Sequence, residues 1–434
     1  MGSGIVPYRT YNQNNFWLDM IEGLRRRGHE VEVLSVMRGD FSDVQPPGAR
    51  ISQGISIHRL SPIPVPFGQS SLYNDAYPNI SETVNYASHT LSFPRIVREL
   101  RRRRQRFRPD VIHFIENYGP VMLGLRPALA QTTLTISAFT YRPTYPVYHL
   151  LLRSSYASFD SIAPLTEAFR QRLIDDHYAS GRVRTIRWGI DLGRFVPPSE
   201  EARAKAREQL GIRPDTFVVF WAGFIQQYQE VDLRLALRTA ELLFQQNGSK
   251  FVFLFCFKPW YIKDSYRALE RPGLRVFGSP EEFHAARTAA DVLLSPLQDV
   301  RTTAAPPLTW LECMAMGIPV VTTMIPGAEE AVVDGQSGFR VSSPEAAAER
   351  IREIADDRLL QRTLREGAHR IAAERYSVER ALDEYLEFWS SAVKGRISRP
   401  SKEVASADAS GNRPALLSPD AAPSKIHEAR ALTK

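Results

Sequence analysis

Cysteine is almost missing from this chain: there are two, Cys256 and Cys313, in 434 residues. Both lie inside apolar runs and read as reduced core side chains, which excludes a disulfide framework and points to a cytoplasmic protein. Long apolar runs are missing too. None approaches the about 20 residues that a membrane-spanning helix needs. No secretory leader is visible. Met1-Gly2-Ser3-Gly4 leads straight into Ile5-Val6-Pro7-Tyr8. That is short for the first strand of an α/β domain, as though a few residues before it were lost. Zinc-finger spacing, an RNA-recognition signature and a basic zipper are all absent, which sets nucleic-acid binding aside. No ligand cluster demands a metal, and Asp175-Asp176-His177 reads as a helix-end surface group. No internal repeat of solenoid period is present.

What is there suits two domains. The length allows two full cores, and 43% hydrophobic with 24% charged residues is ordinary globular composition. The net charge of +7 comes with a dense basic run, Arg95 to Arg108. It reads first as a solvated helix face. Its alternative is a patch that leans on anionic lipid or grips an anionic ligand, placing the protein at the inner face of the membrane.

Strands and helices alternate along the chain. Asn14 to Arg27 has the apolar spacing of a helix and Val31–Val36 that of a strand. Ile55–Leu60 follows as a strand, then a Pro- and Gly-rich loop, Ile63 to Asn79, and a helix over Glu82–Phe107. Asp110–Phe114, Leu134–Phe139 and Asp160–Pro164 are strands, and Thr166–His177 is a helix. Pro197-Pro198-Ser199 and the helix Glu200–Leu210 form a linker. Beyond it come the strand Phe217–Ala222 with a turn at Gly223, the helix Val231–Gln246, and the strands Phe251–Phe257, Arg275–Phe277 and Asp291–Ser295. Such alternation implies parallel sheets and two doubly wound, Rossmann-like domains. The expected division is 1–196, 197–376, a last helix at 377–394 and a disordered tail at 395–434.

The chain is organised around Pro306 to Val341. Leu308–Met316 is a short apolar helix closed by Gly317, and Ile318–Thr323 is a buried strand. Pro326-Gly327 turns the chain, Glu329–Val333 makes another short helix, and Phe339–Val341 is a strand. Glu312 is the one charged residue of its helix, and a carboxylate there needs donors, because burying it alone is costly.

From Glu312 to Val321 this stretch resembles the nucleotide-sugar site of the family-four retaining glycosyltransferases, which have the GT-B fold. Arg26-Arg27-Gly28-His29-Glu30-Val31 and the Gly189-Ile190-Asp191 segment are similar to that family as well. The resemblance implies an α/β, GT-B protein with two Rossmann-like domains around a cleft, and a terminal helix crossing back to the first domain. It implies sugar transfer, with retention, from a nucleoside-diphosphate sugar to a sugar, lipid-linked or small-molecule acceptor. No metal is expected. Glu312 would hold the ribose hydroxyls, and Pro307, Leu308 and Thr309 would approach the diphosphate.

The sequence departs from the family in places. Ala304 stands where the family has a Glu, eight residues before Glu312. Phe224 and Gln229, after Gly223, fall where it has Arg and Lys for the diphosphate. Lys258 and Arg301 are the candidate replacements, Arg301 as the cation that stabilises the leaving group. The prolines at 306 and 307 have no N–H to donate. Tyr11 to Asn15 replaces a Gly-rich turn, and Asn14 is the candidate contact to phosphate or sugar there. Phe139-Thr140-Tyr141-Arg142 holds the place of a catalytic His. His113, with Glu116 and Asn117, is the candidate for the acceptor side. Two other readings stay open: a GT-B pseudoenzyme or partner subunit, and another nucleotide-sugar reaction such as epimerisation.

Overall fold

The computed structural model describes residues 8–9, 16–36, 50–51, 56–60, 63, 78–115, 119–138, 155–176, 178–224, 230–247, 250–258, 264–298 and 306–397. The tail beyond residue 397, expected to be disordered, lies outside them.

Among the described residues the first half carries seven strands in three small sheets. β1 (Tyr8–Arg9) pairs antiparallel with β3 (Arg50–Ile51), and β2 (Glu32–Val36) pairs parallel with β4 (Ser56–Leu60). β5 (Val111–Phe114), β6 (Thr133–Ala138) and β7 (Ser161–Pro164) form a parallel trio with β6 central. The helix Phe16–Arg26 buries Phe16, Met20, Ile21 and Leu24, an amphipathic stripe at helical spacing. The helix Pro78–Phe107 starts earlier than the loop expected at 63–79 allows. Proline suits a first helical turn, where its missing N–H costs nothing.

Among its described residues the second half has one six-stranded sheet. Its strands are β8 (Phe217–Phe224), β9 (Phe251–Lys258), β10 (Leu274–Phe277), β11 (Val292–Ser295), β12 (Val320–Thr323) and β13 (Gly338–Val341). They lie side by side as β10-β9-β8-β11-β12-β13, every pair parallel. Numbered within the half, that is 3-2-1-4-5-6, the dinucleotide-fold order. The sequence of β9 shows why it is central. Phe251, Phe253, Phe255 and Phe257 enter one core, and Leu254 and Cys256 enter the core on the other face. A strand covered on both sides reads as a continuous apolar run. Both cysteines are buried and unbridged.

Gly223 is not in a turn. β8 continues through it to Phe224, in register with Phe257 and Lys258. The segment expected as a helix at 329–333 is a single 3-10 turn, Ala328–Glu330. Gly327 at φ +89° starts it, and Ser337 Oγ ends it by bonding Ala331 O and Val333 N.

The last helix, Val378–Ile397, packs on the first half. Leu382, Tyr385 and Phe388 join Phe16, Met20, Ala163 and Ile186 in one core. Ile190 and Tyr376–Val378 exchange backbone hydrogen bonds at 2.6 and 3.0 Å. Arg27 binds Glu379 and Asp383 on this helix, and Arg396 reaches Asp160 at 3.1 Å. The helix therefore continues through 395–397, which the sequence assigned to the tail. No described helix is long and apolar enough to cross a membrane.

Candidate functional site

In an open α/β sheet of this order, ligands bind outside the carboxyl ends of the strands where the order reverses. Here that is between β8 and β11. The helix Leu308–Ala315 follows β11, and Trp310 Nε1 donates to Ser295 Oγ at 2.8 Å, pinning its first turn to the strand's end. Pro307 sits at the N-cap with extended backbone (ψ 142°) and no side-chain cap. Pro307, Leu308 and Thr309 are half-buried. At the other end Gly317, at φ +71°, closes the helix with Gly317 N to Met314 O (2.9 Å) and Ile318 N to Cys313 O (2.8 Å). That is the two-bond glycine C-cap the sequence announces.

Glu312 is 3% exposed. Its Oε2 accepts from Nη1 of Arg287, a residue only 1% exposed on the helix Pro280–Ala289. The Arg287 guanidinium in turn lies 5.0 Å from the Phe195 ring and 5.2 Å from the Phe283 ring. The sequence implies donors for Glu312 without indicating that Arg287 is one of them. The available signal was a lone cation among alanines, one helical turn after Phe283.

The other expected donor-side residues are placed in part. Gly223 lies on β8, two residues from Trp221, whose ring fills the glycine's side-chain space. A Cβ there would meet that ring at 2.5 Å. Lys258 ends β9 opposite Phe224; its side chain lies outside the described residues, as do Asn14, Glu116, Asn117, Arg301 and Ala304. The structure thus brings Gly223, Lys258 and the 307–312 segment to one edge of the second sheet.

His113 is elsewhere. It sits on β5 beneath the last helix, with Trp17, Tyr385 and Trp389 rings around it at 5.3–5.5 Å. Trp389 Nε1, a donor only, lies 3.2 Å from Nδ1, so Nδ1 is the acceptor and Nε2 carries the proton. Thr135 Oγ1 lies 2.9 Å from Nδ1. Nε2 donates to Ser137 Oγ at 2.9 Å, and Ser137 Oγ is 2.6 Å from the Tyr385 hydroxyl. Burial pushes the imidazole down to about 3 and the Tyr385 hydroxyl well above the usual phenol range. The ring is neutral and fully engaged.

A contact with no local signal in the chain joins the halves. Glu330 Oε2 accepts from Arg187 Nε and Nη2 at 2.8 and 2.7 Å, and Oε1 accepts from the Glu167 amide at 2.7 Å, at the start of the helix Glu167–Asp175. Arg375 Nη1 donates to the Glu330 carbonyl at 3.2 Å. Among the described residues no group of His, Cys, Asp and Glu could hold a metal ion.

Residues 13–189 match the family model "Glycosyl transferase 4-like domain", and residues 216–357 match "Glycosyl transferases group 1". D-inositol 3-phosphate glycosyltransferase of Corynebacterium urealyticum is 29% identical over 235 residues, which is 50% of this chain and 52% of that protein. The chain spans about half the length of the curated relatives it matches. Solved structures share the fold, two among them as follows. Sucrose-phosphate synthase from Thermosynechococcus elongatus superposes with a TM-score of 0.65 at 15% identity, covering 88% of this chain and 93% of that one. Anabaena HepE in complex with UDP gives 0.57 at 17% identity, covering 78% and 86%. The architecture and the two domain matches, one to each half, agree, and the chain belongs to the GT-B glycosyltransferases of the family-four-like group.

Proposed function

We propose that this protein transfers a glycosyl unit from a nucleoside-diphosphate sugar to an acceptor, with retention of configuration and without a metal. The observation that carries the reading is the placing of Glu312 and the 307–309 segment beside the carboxyl end of β11, at the reversal point of a 3-2-1-4-5-6 sheet. A solved neighbour of the same fold holds UDP, which supports a nucleotide donor here.

In this reading the donor's diphosphate lies against the first turn of the Leu308–Ala315 helix, where backbone N–H groups and the helix dipole favour negative charge. The ribose reaches Glu312. Arg287 holds that carboxylate from behind and keeps it oriented as an acceptor for hydroxyl donors. The departing diphosphate needs positive charge, and Lys258 and Arg301 supply it. The first domain receives the acceptor. His113, neutral and enclosed, orders the wall of that domain under the last helix.

The test is calorimetric titration of UDP-, GDP- and ADP-sugars into the wild type and Glu312→Gln, with thermal unfolding run on both. The expected result is binding by one nucleotide class, weakened by roughly tenfold in the variant, as for the loss of one charge-assisted hydrogen bond. Binding by none of them sinks the transferase reading. Unchanged binding in a folded Glu312→Gln removes the role given to that residue. Nucleotide binding without turnover across sugar, lipid-phosphate and polyol acceptors would favour the pseudoenzyme reading, which Ala304 motivates.

A further inference from the structure

The helix Pro78–Phe107 divides its arginines between two jobs. Between Leu91 and Arg108 the chain has eight arginines and a single acidic residue, Glu99. Phe93, Ile96 and Leu100 pack into the core of the first half and fix which side of the helix faces inward. The arginines flanking that side bind within the protein. Arg103 pairs with Glu32 at 2.9 Å and with Glu99 at 2.7 Å. Arg104 donates to Gln131 Oε1 at 3.2 Å, and Arg101 Nε to the Ala128 carbonyl at 3.0 Å.

The outer side differs. Leu91, Arg95, Arg98, Arg102 and Arg106 are all exposed. Steps of four, three, four and four residues put them in one stripe along the helix, and Arg95 to Arg106 spans about 17 Å of it. Arg102 approaches Glu99 at 3.6 Å. Arg95, Arg98 and Arg106 have no carboxylate partner among the described residues. Leu91, at one end of the stripe, is 55% exposed, and Leu123 is 42% exposed. Leu123 lies on the 3-10 turn Gly119–Gly124, which packs on this helix so closely that a Cβ at Gly124 would meet the Phe93 ring at 2.7 Å.

A helix face that only meets water mixes both signs, as the helix Arg358–Arg375 does with its exposed Arg358, Arg362, Glu366, Arg370 and Glu374. A stripe of one sign repels itself, and an anionic partner relieves it. A single-stranded nucleic acid would call for exposed rings between the cations to stack on its bases. The rings of this segment, Phe93 and Phe107, are instead half-buried. Exposed leucines beside exposed arginines suit the boundary between headgroups and acyl chains.

We propose that this face of the first half lies on an anionic lipid surface, with Arg95, Arg98, Arg102 and Arg106 against the phosphates and Leu91 and the neighbouring Leu123 entering below the headgroups. The surface is separate from the crevice beside β11, and the proposal holds whatever the donor.

Flotation of the full chain with vesicles of phosphatidylcholine, alone or with phosphatidylglycerol, tests it. Binding is expected on the anionic vesicles only, and it should fall as salt rises from about 0.05 to 0.5 M. Arg95→Gln with Arg98→Gln and Arg106→Gln should weaken it by about fivefold per arginine, on the order of a hundredfold together. Arg358→Gln with Arg362→Gln and Arg370→Gln removes the same charge elsewhere and should leave binding unchanged. Leu91→Asn should weaken it a few-fold with the salt dependence intact; no weakening there overturns the apolar part of the proposal. Equal binding to neutral vesicles, binding to neither, or an equal loss in the two triple variants overturns the whole. Anisotropy of a labelled single-stranded RNA runs alongside. RNA binding that the stripe variant abolishes, without vesicle binding, assigns the stripe to nucleic acid and overturns the lipid surface. Should the stripe variant fail to fold, the wild type's dependence on vesicle charge and salt decides the matter.

Discussion

Arg187 grips Glu330 with two nitrogens, at 2.8 and 2.7 Å, and the same carboxylate takes the Glu167 amide with its other oxygen. One acidic side chain from the second half thereby closes an ion pair and caps a helix of the first. Glu330→Ala leaves Arg187 and that amide without it. The expected cost is about 2–3 kcal/mol in urea unfolding, more than a surface ion pair contributes, because Glu330 is mostly buried. A cost below about 0.5 kcal/mol would mean the contact is incidental.

Arg287 and Glu312 form a buried pair, and breaking it from one side should be worse than removing it whole. Glu312→Ala strands a guanidinium in the core and is expected to cost about 3–5 kcal/mol. The double change Arg287→Leu with Glu312→Leu should recover much of that. A double-mutant cycle in urea measures it; additive losses would show that the two side chains do not act as a unit.

The stability of the first half should depend on pH through His113. Its folded value is about 3, depressed by burial, and its unfolded value is near 6.5. Between those limits the unfolded chain binds the extra proton, so stability rises with pH. This contribution is complete above about pH 6.5 and is lost as pH falls, with a slope approaching about 1.4 kcal/mol per unit. His113→Gln should flatten that segment of the stability curve. An unchanged slope would mean that other groups set it.

Gly223→Ala places a methyl where the Trp221 ring lies, 2.5 Å away. Overpacking of this kind costs typically about 1–3 kcal/mol. The indole must move, and tryptophan fluorescence should shift together with the melting temperature. If the melting temperature holds, Trp221 has room that its contacts do not suggest.

Much of the second half was legible in the sequence because its signals are local. The alternating burial of Phe251 to Phe257, the Gly317 cap and the Leu308–Ala315 helix are set by neighbours in the chain. Gly223 misled because glycine marks turns by default, and here it makes room for an indole two residues away on the same face. The partners Arg287 and Glu330 were not legible. Each is an ordinary helix or turn residue until the fold brings Glu312 or Arg187 to it, 25 and 143 positions apart. His113 shows the same limit. Its residue type suggested chemistry, but Trp389, which fixes its proton, lies 276 positions away.

The last helix has a consequence for recombining such chains. Val378–Ile397 is encoded after the second half yet completes the core of the first, through Leu382, Tyr385 and Phe388. Inheritance by halves would cut through that core. A chimera that keeps this chain's first 196 residues and takes a foreign second half must also keep 377–397, or its first half loses part of its core. Head and tail of the polypeptide form one unit of exchange, and the six-stranded sheet between them is the part that can be swapped.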